Sequence, residues 1–156
     1  MRIIPDFLTK PAITFFYTGY FPVAPGTFGS LAGLAVYFLV KGNPYLYFWM
    51  VVLVTAAGFL LSGQGERIFA RKDPNCVVID EVSGMLLSLA FLPYDIRIVA
   101  AGFILFRVFD ALKPFPADRL QSLKGSAGIM SDDIMAALYT NALLQVVVRL
   151  NVLKGA

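Results

Sequence analysis

Apolar residues in this chain come in runs rather than in alternation, and polar residues collect between the runs, which predicts helices and no sheet. Five segments approach the roughly 20 residues that a helix needs to cross a hydrocarbon layer. Phe28 to Val40 is short. The stretch Phe15 to Pro25 before it is apolar but interrupted by Gly19, Pro22 and Pro25, with Gly26 following, and predicts an irregular or re-entrant approach to that helix. Tyr45 to Leu61 has no charge and carries Tyr45, Tyr47, Phe48 and Trp49 at one end. Val77 to Leu92 is apolar apart from Asp80 and Glu81, and Ile98 to Leu112 apart from Arg107 and Asp110, before Lys113-Pro114 ends it. Ile134 to Leu150 is apolar until Arg149, and Asp132-Asp133 stands directly before it.

Composition changes what these runs mean. With 58% hydrophobic and 15% charged residues and a mean hydropathy of +0.74, the 156-residue chain is too apolar for an ordinary water-soluble domain. The expectation is an all-α, multi-pass membrane protein of four to five helices, forming one domain over residues 1–156 with a broken N-terminal segment. Aromatic residues near the ends of the runs suit a membrane interface. The stretch Met1 to Pro11 reads as a short interfacial arm, since no small-residue cleavage site follows an apolar core. A net charge of +3, spread along the chain, argues against nucleic acid and for a shallow attraction to anionic lipid. Cys76 is alone, so neither a disulfide framework nor a thiolate zinc site can be built. Histidine is absent, which excludes an imidazole base, a phosphohistidine and histidine metal ligands.

Orientation follows from the loops. With the N-terminus in the cytoplasm, that side holds Arg2, Lys10, Arg67, Arg71, Lys72, Lys113, Arg119 and Lys124, against Lys41, Arg97, Arg149 and Lys154 opposite. In this arrangement Pro25-Gly26-Thr27, Asp80-Glu81, Arg107 with Asp110, and Asp132-Asp133 all fall at the cytoplasmic ends of their helices. Plainer readings exist for each group. Acids at helix N-termini gain about 0.3–1 kcal/mol from the macrodipole, and an Arg-Asp pair three residues apart can neutralise itself. However, an ionisable residue in a spanning helix costs about 2.5–3.5 kcal/mol on insertion scales, so three loaded helices call for a shared purpose.

The chemistry of the group supplies one. Arg107, Asp110 and Pro114 lie along one stripe of their helix, so Arg107 points where Asp110 points. A guanidinium fork matches phosphate oxygens, and Lys113 adds a second cation. Asp80, Glu81, Asp110, Asp132 and Asp133 are too many carboxylates at one depth to stay ionised together without a cation, and oxygen donors favour Mg²⁺. Such a set suits phosphoryl transfer. In VAPGTFGSLAG, the small residues Gly26, Thr27, Gly29 and Ser30 open a helix where backbone amides and hydroxyls can hold an anion, although tight packing at Gly29 and Gly33 explains the same pattern. Gly84 and Ser88 read as a close helix approach. Gly125 and Gly128, in GSAGIMSDD, are expected to let that loop flex over the site.

The runs VAPGTFGSLAG, VIDEVSGM, FRVFDALKPFP and GIMSDDIMA, in that order, resemble the phosphatidylglycerophosphatase A family. The resemblance implies a Mg²⁺-dependent phosphatase of the bacterial inner membrane. Such an enzyme removes the terminal phosphate of phosphatidylglycerophosphate to give phosphatidylglycerol. Its motif positions fall on Asp80, Glu81, Arg107, Asp110, Lys113, Asp132 and Asp133, with Gly26 and Thr27 from the first motif, and Asp73 in KDPN is similar to a polar position of the family. The implied roles are catalysis for Asp80, Glu81, Arg107, Asp110, Asp132 and Asp133, and substrate binding for Gly26, Thr27, Arg107 and Lys113. Asp80, Glu81, Asp132 and Asp133 are the expected metal ligands. Two rivals remain at this point. One is a phosphatidyltransferase on a nucleotide-activated lipid, which lacks its DGxxAR run here, and the other is a small cation transporter subunit, whose site belongs near mid-membrane.

Overall fold

A computed structural model describes residues 4–150, and the regular elements among them are all helices. The elements are α1 (Asp6–Ile13), a 3₁₀ turn (Thr18–Tyr20), α2 (Pro25–Val40), α3 (Pro44–Ile68), α4 (Ile79–Ser88), α5 (Ile96–Leu112), α6 (Ala117–Leu120) and α7 (Ser126–Arg149). The irregular approach to α2 is present: Phe15, Phe16 and Tyr17 all have positive φ, and Ala24, also left-handed, precedes Pro25 in the first turn of α2. Residues 1–3 and 151–156, including Arg2 and Lys154 from the charge balance, lie outside the described residues.

The short α4 is the centre of the molecule, with α2, α3, α5 and α7 packed around it. Glycines set two of these approaches. A Cβ on Gly29 would lie 2.8 Å from the Val78 Cβ, and one on Gly33 would lie 2.8 Å from the Met85 Cβ, so this stripe of α2 lies directly on α4. On α4 itself, a Cβ at Gly84 would stand 2.5 Å from the ring of Phe106, a fully buried residue of α5, and 3.3 Å from the Asp133 carbonyl of α7. The close approach expected at Gly84 is therefore real.

Three boundaries differ from the sequence expectation. Helix α3 runs past Leu61 to Ile68, because Ser62, Gly63 and Gly65 are small enough for neighbours to close on them. Ser126 Oγ accepts from Gly63 N–H at 2.8 Å, and Val77 and Ile13 pack on Gly65. Helix α7 begins at Ser126, so Asp132 and Asp133 sit in its second turn and do not open it. Its early start also takes Gly128 out of any loop, and a Cβ there would meet the Leu123 carbonyl at 2.2 Å, a contact that packs the segment instead of freeing it.

The third difference is α4, expected as a span over Val77 to Leu92. It has ten residues, about 15 Å at 1.5 Å per residue, and is too short to cross a bilayer. Its final carbonyls would be left without partners in an apolar surrounding, and side chains from two other helices meet them. Asn141 Nδ2 donates to the carbonyls of Ser88 at 3.1 Å and Ala90 at 2.8 Å, and is 3.4 Å from that of Leu87. The Tyr47 hydroxyl donates to Leu86 O, and Gln145 Nε2 to Phe91 O at 3.3 Å.

Among the described residues, α3 is the one helix long and apolar enough to cross a membrane, and only 22% of its most apolar stretch is buried. Asn43 caps its start, accepting from the amides of Tyr45 and Leu46, with Pro44 at the first helical position. Trp49, Leu53 and Leu60 on its outer face are exposed, as are Leu39 on α2 and Ile104 and Leu112 on α5.

Candidate active site

The first turns of α2 and α4, the last turn of α5 and the second turn of α7 converge on one cavity of about 260 Å³. Its wall includes Ala24, Pro25 and Gly26 from the start of α2, and Asp73, Asn75 and Val77 from the connection into α4. The ionisable remainder is Asp80, Glu81, Arg107, Asp110, Lys113, Asp132 and Asp133. The helices that the sequence showed to be loaded with charge thus bring their charges to one place.

Two ion pairs order one side of it. Arg107 Nη1 donates to Asp110 Oδ2 at 2.7 Å, one turn along α5, which fixes the guanidinium in the cavity wall. Lys113 ends α5 in a left-handed conformation, and its Nζ reaches Asp132 Oδ2 at 2.5 Å. Burial works against the Lys113 charge, but the carboxylates of Asp132, Asp110 and Asp133 outweigh it and hold the ammonium above the usual lysine range.

The other side is a group of closely spaced acids. Oxygens of Asp80, Glu81 and Asp133 all lie within 4.8 Å of one another. Asp80 Oδ1, Glu81 Oε2, Asp133 Oδ2 and Asp132 Oδ1 are buried and accept no hydrogen bond. Buried ionised oxygens without partners are costly, and a cation held among them removes the cost. A set made only of carboxylate oxygens is the donor set of a hard divalent ion such as Mg²⁺, so the residues present fit the group expected from the sequence. Asp132 differs from the other three, because one of its oxygens is already committed to Lys113.

The glycine-rich start of α2 contributes less than the motif suggested. Only Gly26 of its small residues reaches the cavity, where a Cβ would lie 2.5 Å from Glu81 Oε1 and 3.3 Å from Arg107 Nη1. The amides of Thr27 and Phe28 donate to Ala24 O, Ser30 Oγ donates to Gly26 O, and Gly29 packs on α4. Thr27 and Pro114 lie outside the residues that line the cavity. Asn75 lines it and was not foreseen, since in KDPNC it reads as an ordinary turn residue. Cys76 beside it takes no part, and burial pushes its thiol up.

Comparison with known proteins identifies the family. The family model for phosphatidylglycerophosphatase A matches residues 12–148. A protein of Bacteroides thetaiotaomicron, provisionally named a phosphatidylinositol-3-phosphatase, is 36% identical over 151 residues, covering 91% of this chain and 94% of its own. The Escherichia coli K12 protein named phosphatidylglycerophosphatase A is 38% identical, covering 83% of this chain and 77% of its own length. A Haemophilus influenzae protein of the same name is 36% identical, covering 80% and 78%. No solved structure gives a significant match.

Proposed function

The chain belongs to the phosphatidylglycerophosphatase A family, and on that premise we propose that it is a membrane-embedded, Mg²⁺-dependent phosphatase that hydrolyses the terminal phosphomonoester of phosphatidylglycerophosphate. The products are phosphatidylglycerol and phosphate. The observation that carries this reading is the pairing, in one cavity, of three clustered carboxylates bearing unpartnered oxygens with an arginine held in place by its own aspartate. The name given to the Bacteroides relative points to a phosphate on an inositol headgroup. Both are phosphomonoesters on a polyol that a phosphodiester joins to a diacylglycerol.

Asp80, Glu81 and Asp133 would hold the Mg²⁺, which when bound supplies positive charge at a phosphoryl oxygen and acidifies a water. Arg107, oriented by Asp110, binds the equatorial phosphoryl oxygens and stabilises the charge that builds on them during in-line displacement. Lys113, kept charged by Asp132, adds a second positive group on the same wall. The attacking water must lose a proton, and in a chain without histidine the acceptors lining this cavity are carboxylates. Gly26 keeps the mouth open because its missing side chain leaves Glu81 and Arg107 in place.

Neither rival gains support. A transported cation belongs near mid-membrane, whereas this cavity lies at the ends of α2, α4 and α5. We place the protein in the bacterial cytoplasmic membrane with this end toward the cytoplasm, supported by the excess of Lys and Arg in the loops there. The test is phosphate release from phosphatidylglycerophosphate by the purified protein, with and without a chelator. Asp80→Asn and Asp133→Asn should each lower turnover by at least about a hundredfold, a typical loss for removing one transition-state contact. Undiminished activity in both variants and in chelator would overturn the proposal.

A further inference from the structure

A second cavity adjoins the first. It is open, measures about 290 Å³, and is lined by Lys72, Asp73, Asp118, Gln121 and Ser122. Asp73 lines both cavities and forms their common wall. Its backbone is left-handed, which turns the chain out of α3 and back toward α4, and Gln121 Nε2, presented just after α6, lies 3.4 Å from Asp73 Oδ2. Both Asp73 and Gln121 are half-buried, while Lys72, Asp118 and Ser122 are exposed.

The phosphoryl chemistry above uses none of these groups. Four of the five, Asp73, Asp118, Gln121 and Ser122, offer hydroxyl-binding partners without positive charge, and Lys72 is the one cation among the lining residues. A phosphomonoester on its own needs only the first cavity. A headgroup in which the monoester sits on a hydroxylated spacer, with a phosphodiester at the other end, needs an acceptor or donor for the spacer hydroxyl and a cation for the diester. Asp73 and Gln121 supply the former, next to the monoester position, and Lys72 the latter.

We propose that this second cavity is the subsite that reads the polyol of the headgroup. Asp73 and Gln121 bind the hydroxyl next to the scissile phosphate, and Lys72 faces the phosphodiester. The inference rests on the phosphatase reading and deepens it, because it separates lipids with a polyol spacer from phosphatidate, whose phosphate is attached directly to the diacylglycerol. Sites built to hydrogen-bond a substrate hydroxyl discriminate against an analogue lacking it, since their polar groups are then left unpaired.

The experiment measures kcat and KM of the wild type, Gln121→Ala and Lys72→Ala in mixed micelles with phosphatidylglycerophosphate and, separately, with phosphatidate. On the polyol lipid each variant should raise KM about five- to tenfold, the effect of one lost hydrogen bond or charged contact, with kcat changed less than about twofold. Phosphatidate kinetics should not move, which also shows that the variants are folded. If the wild type ignores phosphatidate, the split between KM and kcat on the polyol lipid decides, with elution as a single species in detergent as the folding control. Equal losses on both lipids, a fall in kcat alone, or unchanged KM in both variants would overturn the subsite while leaving the phosphatase reading intact. A wild type inert toward the polyol lipid would overturn both.

Discussion

At the scale of single residues, Gly26 and Gly29 look alike in the sequence and do different work. Gly26 faces the cavity, and the Cβ of a Gly26→Ala variant would press on Glu81 Oε1 at 2.5 Å. A carboxylate at the end of a flexible side chain can move aside, so the variant should fold but displace a proposed metal ligand. Its kcat/KM should fall at least about tenfold, since misplacing a reacting group by about 1 Å can cost a hundredfold. Gly29→Ala instead presses on the Val78 Cβ at 2.8 Å and should lower thermal stability in detergent. A Gly29→Ala protein as stable as wild type would remove the packing argument. Lys113 and Asp132 form a coupled pair, since either alone leaves a partly buried charge without its counterion. In a double-mutant cycle with Lys113→Met and Asp132→Asn, the activity losses should couple by about 1–3 kcal/mol. Strict additivity would show that Asp132 acts independently of Lys113.

At the scale of elements, the site depends on a helix too short to hold itself. The N-terminal turn of α4 carries Asp80 and Glu81, and its other end stops inside the protein at Ser88. Irregular backbone at that depth is tolerated where protein satisfies it, and Asn141 meets two carbonyls there at 3.1 Å or less. Asn141→Leu keeps the branched shape and removes the donors, and should destabilise the fold by about 2–3 kcal/mol. An unchanged melting temperature in detergent would show that the cap is dispensable. This cap also explains what could be read from the sequence. The helical class and the broken approach to α2 were legible because hydrophobic runs and proline are local signals. So were the charged members of the site, because ionisable residues in apolar runs stand out. The end of α4 was not, because it is decided by Asn141, 53 positions from Ser88, within an apolar stretch that continues to Leu92. The second-turn placement of Asp132 and Asp133 was hidden for a similar reason. Ser126 begins α7 by docking on Gly63, and nothing in GSAGIMS reads as an apolar helix.

At the scale of the whole molecule, the two ends are chemically unlike. One end gathers the site, Arg67 paired with Asp6, and the exposed Arg71, Lys72, Arg119 and Lys124. The other presents Lys41 over the Tyr94 ring, with Arg97 paired to Asp95. Between them lies the exposed apolar surface of α2, α3 and α5. A bilayer fits this division. Helices α2 and α5, of 16 and 17 residues, extend about 25 Å, and α3 and α7, of 25 and 24 residues, exceed 30 Å. Short α4 is continued by residues 89–95, of which Leu89, Ala90, Phe91, Leu92 and Tyr94 line a cavity at the far end together with Tyr37, Lys41 and Pro44. If the loops with more Lys and Arg face the cytoplasm, then Lys124 is cytoplasmic and Gly42, exposed with open space around its Cβ position, is external. In a Cys76→Ser background, Gly42→Cys should react with a membrane-impermeant maleimide in right-side-out vesicles, and Lys124→Cys only in inverted ones. Labelling of both from one side would overturn an odd number of crossings between them, through α3, α4 and α5, and reversed sidedness would put the site outside. The cytoplasmic result would also place the proposed phosphatase on the side where a Mg²⁺ site of modest affinity is best supplied, because a cavity of three clustered acids must compete with water for that ion.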